Sequence, residues 1–233
     1  MAKPPRPWIV AAHDPIQKLE DNLWTVDGDV PGIAFRRRMA VARRDDGRLV
    51  FYNAVPVRDE VLAEIQAWGK PAFLIVPNRF HRLDAHAFRA RLGVQLYCAA
   101  QVEKLVRAVA PVDGRVEDFP GDASVSVALV DGTKNGEVVM VVRSGPRASI
   151  VFSDAFMNVA RSTGIVTTLL RTAGGPKCPP LFRLAAVRDK KAVRSHLERL
   201  AATSGLARLV PSHGDLVERD AASTLRQVAA RDL

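Results

Sequence analysis

The residues best suited to chemistry are a histidine and an aspartate that each close an apolar run. Leu209-Val210 leads into Pro211-Ser212-His213-Gly214-Asp215, and Ile150-Val151-Phe152 leads into Ser153-Asp154. An imidazole or a carboxylate at a strand-to-loop corner is carried by a rigid element yet open to a ligand, so the pair suits metal ligation or proton transfer. Gly214 also fits a left-handed turn, and a purely structural hydrogen-bonding role for His213 stays open. A third group follows the apolar run 72–76 and reads Pro77-Asn78-Arg79-Phe80-His81-Arg82-Leu83-Asp84-Ala85-His86. His81, Asp84 and His86 are candidate metal ligands, as is Asp131 further on. Against that, His81 is equally a helix-entry residue, Asp84 a helix N-cap and His86 part of a solvated face. Arg79 and Arg82 would repel a cation and suit a carboxylate or phosphate instead. His13, in the N-terminal segment, and His196, between charged neighbours, are set aside.

Alternating strands and helices must position these groups. Residues 22–26 form a β-rich run closed by the turn signals Asp27-Gly28-Asp29 and Pro31-Gly32, and residues 35–42 alternate bulky and basic side chains. Asp45-Asp46-Gly47 is a hairpin turn into the strand 48–52. Val61, Leu62, Ile65 and Trp68 share a helical face before Gly69, and the all-apolar run 72–76 suits a strand buried on both sides. A helix over 84–92, a strand over 94–98 and a helix through Val109 complete the first half. Strands over 124–130, 137–143 and 148–152 open the second, with a helix over 189–202, a strand over 207–210 and a helix over 221–230. Residues 158–180, with Gly174-Gly175-Pro176 and Pro179-Pro180, form a candidate lid loop. This order fits two sheets stacked face to face with helices on both outer sides.

At 233 residues the chain can bury a large core, and no apolar stretch is long enough to span a bilayer. The N-terminus lacks the apolar segment of a signal peptide, so the expected location is the cytoplasm, with no membrane partner. Cys98 and Cys178 stand far apart, which indicates neither a disulfide scaffold nor a thiolate zinc site. The formal charge is +9, densest at Arg36-Arg37-Arg38 and Arg43-Arg44, but no nucleic-acid-binding motif accompanies it and nucleic acid is not the expected partner. The oligomeric state is open.

On the two strand-end motifs and the element order between them, the chain resembles the metallo-β-lactamase-fold superfamily, which includes ribonuclease Z and hydroxyacylglutathione hydrolase, and looks like a bacterial branch of it. The resemblance implies a four-layer αββα sandwich, one domain over 1–233 with an N-terminal extension over 1–20. Phe152-Ser153-Asp154-Ala155 matches the strand-end Asp that bridges two metals in that superfamily, and Pro211-Ser212-His213-Gly214 is similar to its last His ligand. The signature His-x-His-x-Asp-His is degenerate. Asn78 and Phe80 stand where its first two His belong, Arg82 and Leu83 replace its Asp and last His, and Asn53 stands where a supporting Asp is usual. The implied function is therefore hydrolase-like, on an ester, thioester or phosphoester, with the two-metal site lost or reduced to at most one zinc or iron ion. In that reading His81, Asp154 and His213 hold the ion. The alternative is a non-catalytic, metal-free protein that binds a small anionic molecule in the old cleft through Arg79 and Arg82.

Overall fold

Along the strand Arg48–Tyr52, Leu49 and Phe51 pack into one apolar cluster while Val50 and Tyr52 pack into another, the period of two that a strand buried on both faces must show. The strand Lys70–Val76 repeats it, with Leu74 and Val76 on one side and Phe73 and Ile75 on the other. Here the computed structural model describes residues 6–30, 33–160 and 173–233. Seven strands form the first sheet in chain order: β1 Gln17–Glu20, β2 Leu23–Val30, β3 Ile33–Arg43, β4 Arg48–Tyr52, β5 Lys70–Val76, β6 Gln95–Cys98 and β7 Gly114–Arg115. Pairing is antiparallel from β1 to β4 and parallel from β4 to β7. The second sheet takes the order β13-β10-β9-β8, from β8 Val125–Leu129, β9 Val138–Ser144, β10 Arg147–Phe152 and β13 Leu206–Pro211; only β10 and β13 pair in parallel. A two-stranded ribbon joins β11 Met157–Val159 to β12 Gly175–Lys177.

Three apolar clusters define four layers. The outer face of the first sheet packs under α1 Asp59–Trp68, α2 Ala85–Leu92 and α3 Glu103–Arg107, through Ile65, Phe88 and Val106. The outer face of the second packs under α4 Pro180–Ala186, α5 Lys190–Ala201 and α6 Ala221–Asp232, through Phe182, Leu197 and Leu225. Between the sheets, Ala40, Val50, Phe73 and Ile75 meet Val138, Met140, Val151 and Val210. The fold is the expected αββα sandwich.

Several local expectations are corrected. Asp27-Gly28-Asp29 is not a turn: β2 runs through it, because residues 12–14 add a further rung there, Asp14 N to Asp27 O at 2.8 Å and Asp29 N to Ala12 O at 2.8 Å. Gly28 serves this close approach, since a Cβ would lie 2.6 Å from Val55 Cγ1. The helix expected through Val109 shortens to a 3₁₀ turn at Ala100–Val102 and the brief α3. Asp84 precedes α2 but makes no capping bond, because its carboxylate is engaged by arginine. The ends of the candidate lid over 158–180 form the ribbon β11–β12, at 157–159 and 175–177, and α4 begins at its last residue, Pro180. Pro31-Gly32 and the lid residues 161–172 lie outside the described residues. Among the described residues, no helix is long and apolar enough to cross a membrane.

Candidate metal site at one edge of the sandwich

Parallel pairing brings strand C-termini to a common edge, and four of them meet here. Asn53 follows β4, Asn78 and His81 follow β5, Asp154 follows β10, and His213 follows β13. The two sheets are fastened at this edge by backbone bonds from Val138 N to Pro77 O and from Arg38 N to Ser212 O, each 2.8 Å, and by Tyr52 Oη donating to Val138 O at 2.6 Å. Loops at the C-terminal ends of strands are where open sheets carry their ligands.

The edge gathers His81, Asp154 and His213 so that one ligand atom from each lies within 4.8 Å of the others. His81 Nε2 is 3.1 Å and His213 Nε2 is 3.5 Å from the same Asp154 Oδ1. The far nitrogen of each ring fixes its tautomer. His213 Nδ1 lies 2.7 Å from the Arg36 carbonyl oxygen, which only accepts, so Nδ1 carries the proton. His81 Nδ1 lies 2.9 Å from Asn53 Oδ1. That amide cannot be flipped, because Asn53 Nδ2 donates to Arg38 O at 2.8 Å. Both Nε2 lone pairs therefore converge on a carboxylate oxygen, an arrangement that is repulsive until a cation, either a proton or a metal, sits among them. Burial pushes the His81 imidazolium toward losing its proton, against the pull of Asp154. Burial raises the Asp154 carboxyl, but the two imidazoles, when protonated at Nε2, outweigh it and hold Asp154 well below the usual carboxylate range.

Asn53 adopts φ 66°, a left-handed conformation that Asn tolerates better than most residues, and this turns its amide back to the His81 ring. Behind Asp154 lies a second acid, Glu137, fully buried. Its Oε1 accepts from Asp154 N at 2.6 Å and Ala155 N at 2.7 Å, and its Oε2 from Asn78 Nδ2 at 2.9 Å and Asn135 Nδ2 at 3.1 Å. Asn78 is fixed in turn, its Oδ1 accepting from Phe80 N at 2.8 Å, so its Nδ2 bridges Glu137 and Asp154 Oδ2 at 2.8 Å. Burial and then the Asp154 charge push the Glu137 carboxyl upward, and the surrounding donors oppose that shift.

Of the other sequence candidates, Asp84 pairs with Arg37 Nη2 at 2.5 Å and Arg6 Nε at 3.3 Å, so it is held as a counter-ion beside the site. His86 lies on α2, outside the cluster. Asp131 pairs with Arg199 and His196 on α5. Arg79 stacks on Phe80, with Arg82 bonded to the Arg79 carbonyl, and neither lines the adjoining cavity. That cavity, of about 480 Å³, is lined by Arg37, Phe80, His81, Leu83, Asp154 and His213 together with apolar residues from β2, β11 and α4. Sequence reasoning missed Glu137 and Arg37. The signal for Glu137 was a lone acid directly before the all-apolar run of β9; Arg37 had none, since its partner is 47 residues away.

No family model matches this chain, and no curated protein matches it by sequence. Solved structures match over nearly its whole length. The DIM-1 metallo-β-lactamase is 13% identical with a TM-score of 0.66, over 95% of this chain and 98% of that one. A metallo-β-lactamase from Pontibacter korlensis is 12% identical with a TM-score of 0.61, over 93% and 99%. FIM-1 from Pseudomonas aeruginosa, in its mono-zinc form, is 12% identical with a TM-score of 0.60, over 94% and 96%. The chain has the metallo-β-lactamase fold.

Proposed function

We propose that this protein is a hydrolase that uses a single transition-metal ion held by His81, Asp154 and His213. The observation that carries the reading is the convergence of two imidazole Nε2 lone pairs on one carboxylate oxygen, each ring locked in that tautomer by a carbonyl acceptor behind it. Two imidazoles and a carboxylate make a three-ligand set with room for water, suited to zinc or iron(II). When bound, such an ion supplies Lewis acidity that activates water and polarises a substrate carbonyl. The chain's own residues do the rest. Asn53 and the Arg36 carbonyl hold the two rings in register, while Asn78 and Glu137 fix the Asp154 carboxylate and its backbone. A second metal has little support, because Asn53, Asn78, Phe80 and Leu83 offer no imidazole or carboxylate where the superfamily has them, and the Asn78 amide hydrogens are spent on Glu137, Ser153 and Asp154.

The metal-free anion-binding reading has less support, since Arg79 and Arg82, the residues it assigns, do not line the cavity. Elemental analysis of untagged protein, loaded with zinc or iron(II) and desalted, tests the proposal. The expected result is about one equivalent of metal, lost in His81→Ala and His213→Ala together with hydrolysis of 4-nitrophenyl acetate. Protein that retains no metal, or two equivalents, overturns it.

A further inference from the structure

The cavity beside the three ligands divides sharply by polarity. Its polar groups are Arg37, His81, Asp154 and His213, and among the described lining residues no other side chain is charged or has a hydrogen-bonding group. The rest of the lining is apolar, with Val30, Leu83 and Met157 and, from α4, Leu181, Phe182 and Ala185. Arg37 is the one lysine or arginine among these described residues, and its Nη2 pairs with Asp84 at 2.5 Å, both side chains being buried. Among the described lining residues no second cationic side chain stands ready for a phosphate or carboxylate, which would have to shed its hydration for few replacement partners. Part of this apolar lining, and one leucine beyond it, faces solvent. Phe80 is 54% exposed, Leu181 46%, and Leu184, one helical turn further along α4, 80%. Large apolar side chains grouped around an apolar cavity mark a ligand site, because water gains nothing from them.

From this division we infer that the substrate is a neutral ester or thioester with an apolar aliphatic acyl chain, the carbonyl at His81, Asp154 and His213 and the chain along α4. This rests on the hydrolase reading and narrows it. The reaction is balanced without any redox partner: the acyl carbon–oxygen or carbon–sulfur bond breaks, a water oxygen forms the new bond to that carbon, one water proton goes to the departing alcohol or thiol, and the acid is released. The cavity wall recognises length and lack of charge.

The test has a kinetic arm and a binding arm. In the first, the metal-loaded protein is assayed on 4-nitrophenyl acetate, butyrate and octanoate and on 4-nitrophenyl phosphate. Each buried methylene favours binding about fourfold, so kcat/KM is expected to rise at least about tenfold from acetate to octanoate, with the phosphate ester not cleaved. In Leu181→Asp the octanoate-to-acetate ratio falls about tenfold, whereas in Leu105→Asp, an exposed leucine on α3, it is unchanged. In the second arm, calorimetry with chelator present measures binding of decanamide, a neutral uncleaved chain, expected to bind and to be weakened about tenfold by Leu181→Asp. Esters cleaved without chain-length preference, or a phosphate ester cleaved as well, overturn the substrate class and leave the hydrolase reading standing. Decanamide bound in a protein that neither holds metal nor cleaves any ester overturns the hydrolase reading and, with it, the substrate assignment. Failure of decanamide to bind overturns the role given to the cavity.

Discussion

At the scale of single residues, the site depends on groups whose hydrogen-bonding capacity is fully spoken for. Glu137 is the clearest, a buried carboxylate receiving four donors. Its replacement by Gln keeps the shape but sets an NH₂ against the Asn78 and Asn135 amide hydrogens, so at least one donor loses its acceptor. Unpaired buried donors cost about 1–3 kcal/mol each, and Glu137→Gln is expected to lose about 2–4 kcal/mol in urea unfolding, with Glu137→Ala losing at least as much. A loss under about 1 kcal/mol would show that the network is not what holds the Asp154 turn. The candidate triad was legible in sequence because Asp154 and His213 close apolar runs and His81 stands in the loop that follows a third. Its supports were not. Asn53 and Asn78 looked like empty motif positions, since a sequence shows which ligand type is missing but not that an amide has turned both its ends to use.

At the scale of elements, strands and helices could be read because burial on one or two faces imposes its period on the residues, as in β4, β5, α1 and α5. Close approaches between elements impose no period, and there the reading failed at Gly28. Gly214 is the functional counterpart. It follows His213 with φ 90°, and a Cβ would lie 2.1 Å from the Asn158 oxygen on β11. Asn158 clasps this loop from both sides, its N donating to His213 O at 3.2 Å and its O accepting from Asp215 N at 2.7 Å. Gly145, in the turn between β9 and β10, also has positive φ, at 58°, but a Cβ there meets nothing within 4 Å. Gly145→Ala is therefore expected to cost only the left-handed strain, about 1–2 kcal/mol. Gly214→Ala adds a backbone collision and should cost at least about 2 kcal/mol more, while weakening metal retention by moving His213. Thermal melts and metal titration of the two variants side by side check this; equal losses would mean that β11 does not set the His213 position.

At the scale of the whole molecule, the two arginine clusters that stand out in the sequence, Arg36-Arg37-Arg38 and Arg43-Arg44, are mostly taken into ion pairs. Arg36 meets Asp14 and Asp29, Arg37 meets Asp84, Arg38 meets Asp27, and Arg44 meets Asp122, partners that are up to 78 residues away and so invisible to any local pattern. The last of these fastens the end of the sandwich opposite the candidate metal site. Asp122 accepts from Arg44 Nε and Asp45 N, both at 3.1 Å, on the β3–β4 hairpin of one sheet, and from Ser124 N at 3.0 Å and Val125 N at 2.7 Å where the other sheet begins. Partial burial raises this carboxyl, but the Val125 N–H, the Ser124 hydroxyl, Arg44 and the Asp45 N–H outweigh it and bring it to about 2. An unfolded Asp titrates near 3.9. Because the folded value is the lower one, the stabilisation is complete above about pH 4 and is lost as pH falls through about 2. A shift of that size corresponds to about 2 kcal/mol. Asp122→Asn should accordingly lower urea stability by about 1–3 kcal/mol at pH 7, and the gap between variant and wild type should close as the pH approaches 2. A gap that stays constant across that range would mean that the Asp122 charge does not couple the two sheets.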